Sequence, residues 1–232
     1  VAGQTPTNVA VILDVAAAPP PGLIYGARAA SQAVITHYVT VAGQRLASFF
    51  RNSIQNKNWM TVREPRKPSV LIETVILKEV QAFDAQLARL LGDPKRAKPS
   101  ERRPPGRSKD DMEMEIERMV AKKLQVFATV PFNRNGAIVG ILRIAFKALF
   151  EHVREEVFAK YGLQQIQVDC AFLADAIRDF VESEDAKQLD ALLDEALICT
   201  AARCDDPTLL ELSVVQELAS SRKGASRGPD LS

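Results

Sequence analysis

Between residues 163 and 180, Leu163, Ile166, Cys170, Leu173, Ile177 and Phe180 recur at alternating steps of three and four. A helix keeps that repeat on one buried seam, whereas a strand, whose side chains alternate every second residue, cannot. The same spacing recurs along most of the chain and strand-like alternation is nowhere sustained. The sequence therefore predicts an all-α fold, an elongated bundle of about seven helices. The seam helix also has a second apolar side. Val168 and Phe172 lie roughly 200–240° around the axis from Ile166, which leaves two readings open. The helix is sandwiched within the bundle, or it offers a patch to another chain.

At 232 residues, 47% hydrophobic and 25% charged, the chain can bury a real core, and disordered or low-complexity classes are excluded. Residues 1–26, with Pro6, Pro19, Pro20, Pro21 and Gly22, read as an irregular lead-in. Residues 27–92 form a first helical segment. One amphipathic helix runs to about Asn58 with Gly43 as a weak point, and a second, N-capped by Ser69, stops at Gly92. Residues 110–219 form the C-terminal helical bundle, and 220–232 a disordered tail. Within the bundle, Asp110, Asp111, Glu113, Glu115 and Glu117 mark a helix start where negative charge suits the macrodipole. That helix runs to about Thr129. Asn133 caps a longer helix expected to reach Tyr161, about 28 residues or roughly 42 Å, with Gly162 as its stop. Further helices follow, one over about 185–202 and a short last one after Pro207.

Residues 93–109 hold seven Lys or Arg against two acids, with four prolines and no large apolar residue, and are expected to be a disordered basic loop. The loop reads either as a weak attractor for anionic lipid or RNA or as a solvated insertion. The whole chain carries a net charge of +1, and no helix lines up cations with polar base readers, so no nucleic-acid partner is expected. Three cysteines make no disulfide framework and fit a reducing, cytosolic setting. No stretch is long and apolar enough to span a bilayer. A chain beginning at Val1 reads as a piece of something longer.

Reactive groups are sparse. His37 and His152 are the two histidines, and neither has a Glu three residues before it, as a di-iron bundle requires. Cys199 and Cys204 lack the two further ligands of a closed zinc site and read as small hydrophobes. Nucleophile elbows, mononucleotide cradles and dinucleotide turns are missing. No catalytic residue, metal site or cofactor is expected, which leaves a scaffold or interaction module.

The string Tyr161-Gly162-Leu163-Gln164-Gln165-Ile166-Gln167-Val168-Asp169-Cys170 resembles the C-terminal region of the vacuolar protein sorting-associated protein 51 family. Phe127-Ala128-Thr129-Val130-Pro131-Phe132-Asn133-Arg134, then Gly140-Ile141-Leu142-Arg143, then Ala201-Ala202-Arg203-Cys204-Asp205-Asp206-Pro207 continue the resemblance in order. Trp59-Met60-Thr61-Val62-Arg63-Glu64-Pro65-Arg66 extends it toward the N-terminus. The resemblance implies a helical-rod, non-enzymatic subunit shared by the Golgi-associated retrograde protein complex and the endosome-associated recycling protein complex. These tethers serve endosome-to-trans-Golgi retrograde transport and endocytic recycling. It implies the other subunits of the complex as partners, and peripheral membrane association through them. The setting it implies is the cytosolic face of the trans-Golgi network and recycling endosomes. SNARE contact is implied for an N-terminal coiled-coil-like part with no counterpart in this sequence.

Gln164, Gln165 and Gln167, beside Val168 and Phe172, are the candidate partner-binding residues. The alternative is that these glutamines satisfy nearby backbone groups. The rival reading of the whole chain is a helical lipid or small-ligand carrier, with a closed apolar cavity between the long helix and the seam helix.

Overall fold

The computed structural model describes residues 21–92 and 130–220, which form six α-helices and one π-helical turn, with no strand among the described residues. Helix α1 covers Pro21–Gln55, α2 Leu77–Leu91, α3 Arg134–Val153, α4 Lys160–Ile177, α5 Ser183–Ala202 and α6 Leu212–Ser220. The π turn, Leu71–Ile76, runs directly into α2. The all-α bundle expected from apolar spacing is the fold observed. The basic loop over 93–109, the expected helix over 110–129 and the tail beyond Ser220 lie outside the described residues, as do residues 1–20.

Helix α3 is the central element. It packs against α1, α2 and α5, while α4 packs on α5 and carries α6. Ile138, Ile141, Leu142, Ala145, Phe146 and Leu149 of α3 are all buried, so its apolar half-circumference is spent on neighbours. Asn133 caps it as expected, its side-chain oxygen accepting from the Gly136 N–H at 2.6 Å.

Helices α1 and α3 run parallel, because Val39 lies against Gly140 and Gly43 against Ile144 as both chains advance. Two glycines allow this close approach. A Cβ on Gly43 would meet the Ile144 Cβ at 2.8 Å, and one on Gly140 would meet Val39 at 2.8 Å, well inside the roughly 3.5–4.0 Å of packed carbons. Gly43, expected as a weak point, is a contact point. Further along, Phe50 meets Phe146 edge-on at 6.0 Å. A forked ion pair ties α2 to the start of α3, with Arg134 Nε donating to Asp84 Oδ1 at 2.6 Å and Nη2 to Oδ2 at 2.5 Å.

Several boundaries differ from the sequence expectation, the last helix among them, which begins at Leu212 rather than directly after Pro207. Helix α1 begins at Pro21 rather than after an irregular lead-in ending at residue 26. A proline in a first helical turn gives up an N–H that has no partner there anyway. Ser69 does not act as an N-cap, since its hydroxyl donates to Asp169 instead. The long helix stops at Val153, not Tyr161. Phe158 turns into the core, fully buried against Trp59 with ring centroids 5.2 Å apart. Its N–H donates to Arg203 O at 3.1 Å and its carbonyl accepts from the Asp205 N–H at 3.3 Å, a pairing no continuous helix permits. Gly162 therefore lies in the first turn of α4 rather than ending a rod. A Cβ there would sit 2.6 Å from the Trp59 carbonyl oxygen.

Candidate functional site

The seam of α4 is buried at Leu163, Ile166, Cys170, Leu173 and Ile177, and its second side is buried at Val168 and Phe172 as well. The sandwiched reading holds. Among the glutamines, Gln164 and Gln165 are buried and Gln167 is half-buried. Gln164 Nε2 donates to Thr208 O at 3.0 Å. Gln167 pairs with both backbone groups of Leu210, donating to its carbonyl at 3.1 Å and accepting from its N–H at 2.9 Å. Gln165 donates to Lys67 O at 3.1 Å and to Asp169 Oδ1 at 3.0 Å. The five candidate residues are thus engaged by the chain itself, and the backbone groups that the three glutamines satisfy are distant in sequence rather than nearby.

Asp169 is the buried charge of this region, 2% exposed. Its carboxylate accepts from the Ser69 N–H, the Ser69 hydroxyl and Gln165. Burial pushes it up to about 6, against the opposing pull of those hydrogen bonds and of Lys57. Lys57 is held below the usual lysine range by its own burial, partly offset by Asp169, and its ammonium lies 4.5 Å from the Trp59 ring centre. Burial, with Asp169 and Asp194 adding to it, pushes the Cys170 thiol up, out of nucleophilic range. The cluster fastens the 57–69 connection to α4. Sequence spacing gave no signal for Asp169, because its partners come from another part of the chain.

An open apolar surface lies elsewhere among the described residues. Residues 22–31 of α1 are exposed, extending beyond the start of α3. With Phe132 they line a groove of about 620 Å³ formed by Leu23, Ile24, Ala27, Arg28, Ser31 and Gln32. Leu23 is 64% and Phe132 53% exposed, which is unusual for large apolar residues facing one concavity. Gln32 Nε2 donates to Val130 O at 2.8 Å and so fixes the wall that carries Phe132. Helix α1 contains Arg28, Arg45 and Arg51 and no acidic residue. Sequence reading missed this groove because it placed residues 21–26 in irregular structure.

Among the described residues no group of three or more His, Cys, Asp or Glu is arranged to hold a metal ion. His152 Nδ1 lies 3.6 Å from a carboxylate oxygen of Glu155. No described helix is long and apolar enough to cross a membrane.

No family model matches the chain, and no solved structure matches it. Curated relatives do. The human vacuolar protein sorting-associated protein 51 homologue is 31% identical over 212 residues, covering 82% of this chain and 27% of the human protein. The chicken homologue is 30% identical over 223 residues, covering 87% of this chain and 28% of its own length. In Arabidopsis thaliana the corresponding protein is 24% identical over 223 residues, covering 86% of the chain and 28% of its own length. This chain belongs to the vacuolar protein sorting-associated protein 51 family. It spans under a third of the length of the relatives it matches. The α1 groove is an exposed, concave and largely apolar surface among the described residues.

Proposed function

We propose that this bundle is a non-enzymatic helical scaffold in a vesicle-tethering complex subunit. The complex serves endosome-to-trans-Golgi retrograde transport and endocytic recycling on the cytosolic face of those membranes. Its docking site is the groove between the α1 arm and Phe132, and the occupant is an amphipathic helix of a partner subunit. The observation that carries this reading is the bare arm: Leu23, Ile24 and Phe132 face one concavity while the rest of α1 is packed against α3. Arg28 in the groove, on a helix with no acid, favours a partner helix with a carboxylate beside its apolar stripe.

The carrier reading required a closed cavity between the long helix and the seam helix, whereas this groove is open and lies on α1. The test is affinity purification of the tagged full-length protein carrying Leu23→Asp and Phe132→Asp. Partner subunits are expected to be lost while the melting midpoint stays within a few degrees of wild type. Retention of all partners would overturn the reading.

A further inference from the structure

Residues 205–220 lie at the C-terminal side of the bundle with one fully buried side chain, Val215. Upstream, the chain is anchored by the pairing of Phe158 with Arg203 and Asp205. Beyond Asp205 an extended stretch crosses α4, and two glutamines hold it, Gln164 at the Thr208 carbonyl and Gln167 at both backbone groups of Leu210. All three bonds reach main-chain atoms, so the glutamines read a backbone and not a side chain. Leu209, Leu212 and Val214 remain 48%, 71% and 38% exposed. Leu163 and Val168 of α4 and Val215 of α6 are buried yet stand apart from the contiguous core, as a small cluster formed where these two helices pack would.

We propose that this face of α4 is a peptide-binding site and that residues 206–215 are its resident, displaceable occupant. The ligand it takes is an extended segment of a partner chain that runs into a short amphipathic helix. Such a segment presents a carbonyl to Gln164, both backbone groups of the residue two places later to Gln167, and an apolar side chain five places further on in the seat of Val215. The positions matching Leu209 and Leu212 face solvent and are unconstrained. This site is separate from the α1 groove and does not rest on it.

A fluorescein-labelled peptide of residues 205–220 serves as the probe, titrated by anisotropy into the full chain and into a Val215→Asp variant that frees the seat. The variant is expected to bind the peptide roughly tenfold or more tightly than wild type, and adding Gln167→Ala is expected to reverse that gain. A peptide carrying Leu209→Ala should bind like its parent. Equal affinity of the two chains overturns the proposal. So does loss of the cooperative melting transition in Val215→Asp, which makes the segment part of the core. In the unaltered chain, the Leu210 amide should exchange with solvent at least about tenfold faster than that of Ile166, and comparable protection overturns the proposal.

Discussion

The backbone N–H and the hydroxyl of Ser69 both donate to the carboxylate of Asp169, one hundred residues further along the chain, at 2.6 Å each. This contact joins the connection before α2 to the middle of α4, and it does so with a charge removed from water. The energetic sign is set by two opposed effects. Desolvation disfavours the carboxylate, while hydrogen bonds from Ser69 and Gln165 and the field of Lys57 favour it, and desolvation wins.

A pH dependence follows. With Asp169 raised from 3.8 to about 6, the folded chain holds this proton more tightly than the unfolded chain. The stabilisation from proton binding is fully present below the unfolded value and is lost as pH rises through about 6. Asp169→Asn removes the titration yet keeps an acceptor for the Ser69 N–H and Gln165, with its amide free to donate to the Ser69 hydroxyl. Melting midpoints of both chains at about pH 5, 6 and 7.5 should show wild type losing ground to the variant as pH rises. Parallel curves would sink the assignment.

Gly162→Ala tests the join between α4 and the Trp59 loop. The added Cβ would meet the Trp59 carbonyl oxygen at 2.6 Å, and that carbonyl is backbone, fixed further by the Trp59 indole donating to Ile54 O at 2.8 Å. The expected loss is about 1–3 kcal/mol, the usual range for overpacking, read by urea unfolding. Gly26→Ala is the contrasting case. Nothing lies within 4 Å of its added Cβ, so it should gain about 0.5–1 kcal/mol of helix propensity.

These two sites show what spacing reveals and what it hides. The α4 seam was legible because Leu163, Ile166 and Cys170 carry their periodicity locally. The end of α3 was not, since Val153 and Val157 are four apart and read as one continuing face. The break is decided by Trp59, about a hundred residues away, which draws Phe158 into the core. Gln164 and Gln167 could be singled out as polar groups beside an apolar face, but their partners, Thr208 and Leu210, follow Pro207 where the apolar spacing reads as the last helix, whereas α6 begins only at Leu212. The α1 arm was hidden by Pro19, Pro20 and Pro21, which resemble loop punctuation although the last of them opens a helix.

The Arg134–Asp84 fork should matter more than the exposed ion pairs. Its side chains are 24% and 14% exposed, against 58% and 21% for Arg45 and Glu79. Asp84→Ala is expected to cost about 1.5–3 kcal/mol, the range for hydrogen bonds to charged groups. Arg134→Lys should recover little of this, because an ammonium cannot make the planar two-bond fork. Glu79→Ala should cost under about 1 kcal/mol. Chemical denaturation of the three variants, each compared with wild type, checks the ranking, and an equal loss at Glu79 and Asp84 would count against it.

The parallel contact of α1 with α3 gives the most direct test of the core. A Cβ on Gly43 would find three side-chain atoms of Ile144 within 3.0 Å, so Gly43→Ala alone should push the helices apart or force Ile144 from its rotamer, costing about 1–3 kcal/mol. Ile144→Ala alone should cost less than a typical core truncation, because Ile144 is only partly buried. Combined, the two changes exchange volume across one contact: the methyl added on α1 enters the space vacated on α3. The double variant should therefore be more stable than the sum of the single losses by about 1 kcal/mol or more, measured as a double-mutant cycle. Additive losses would mean that the helices do not meet at these residues, and the register that aligns Val39 with Gly140 would fail with them.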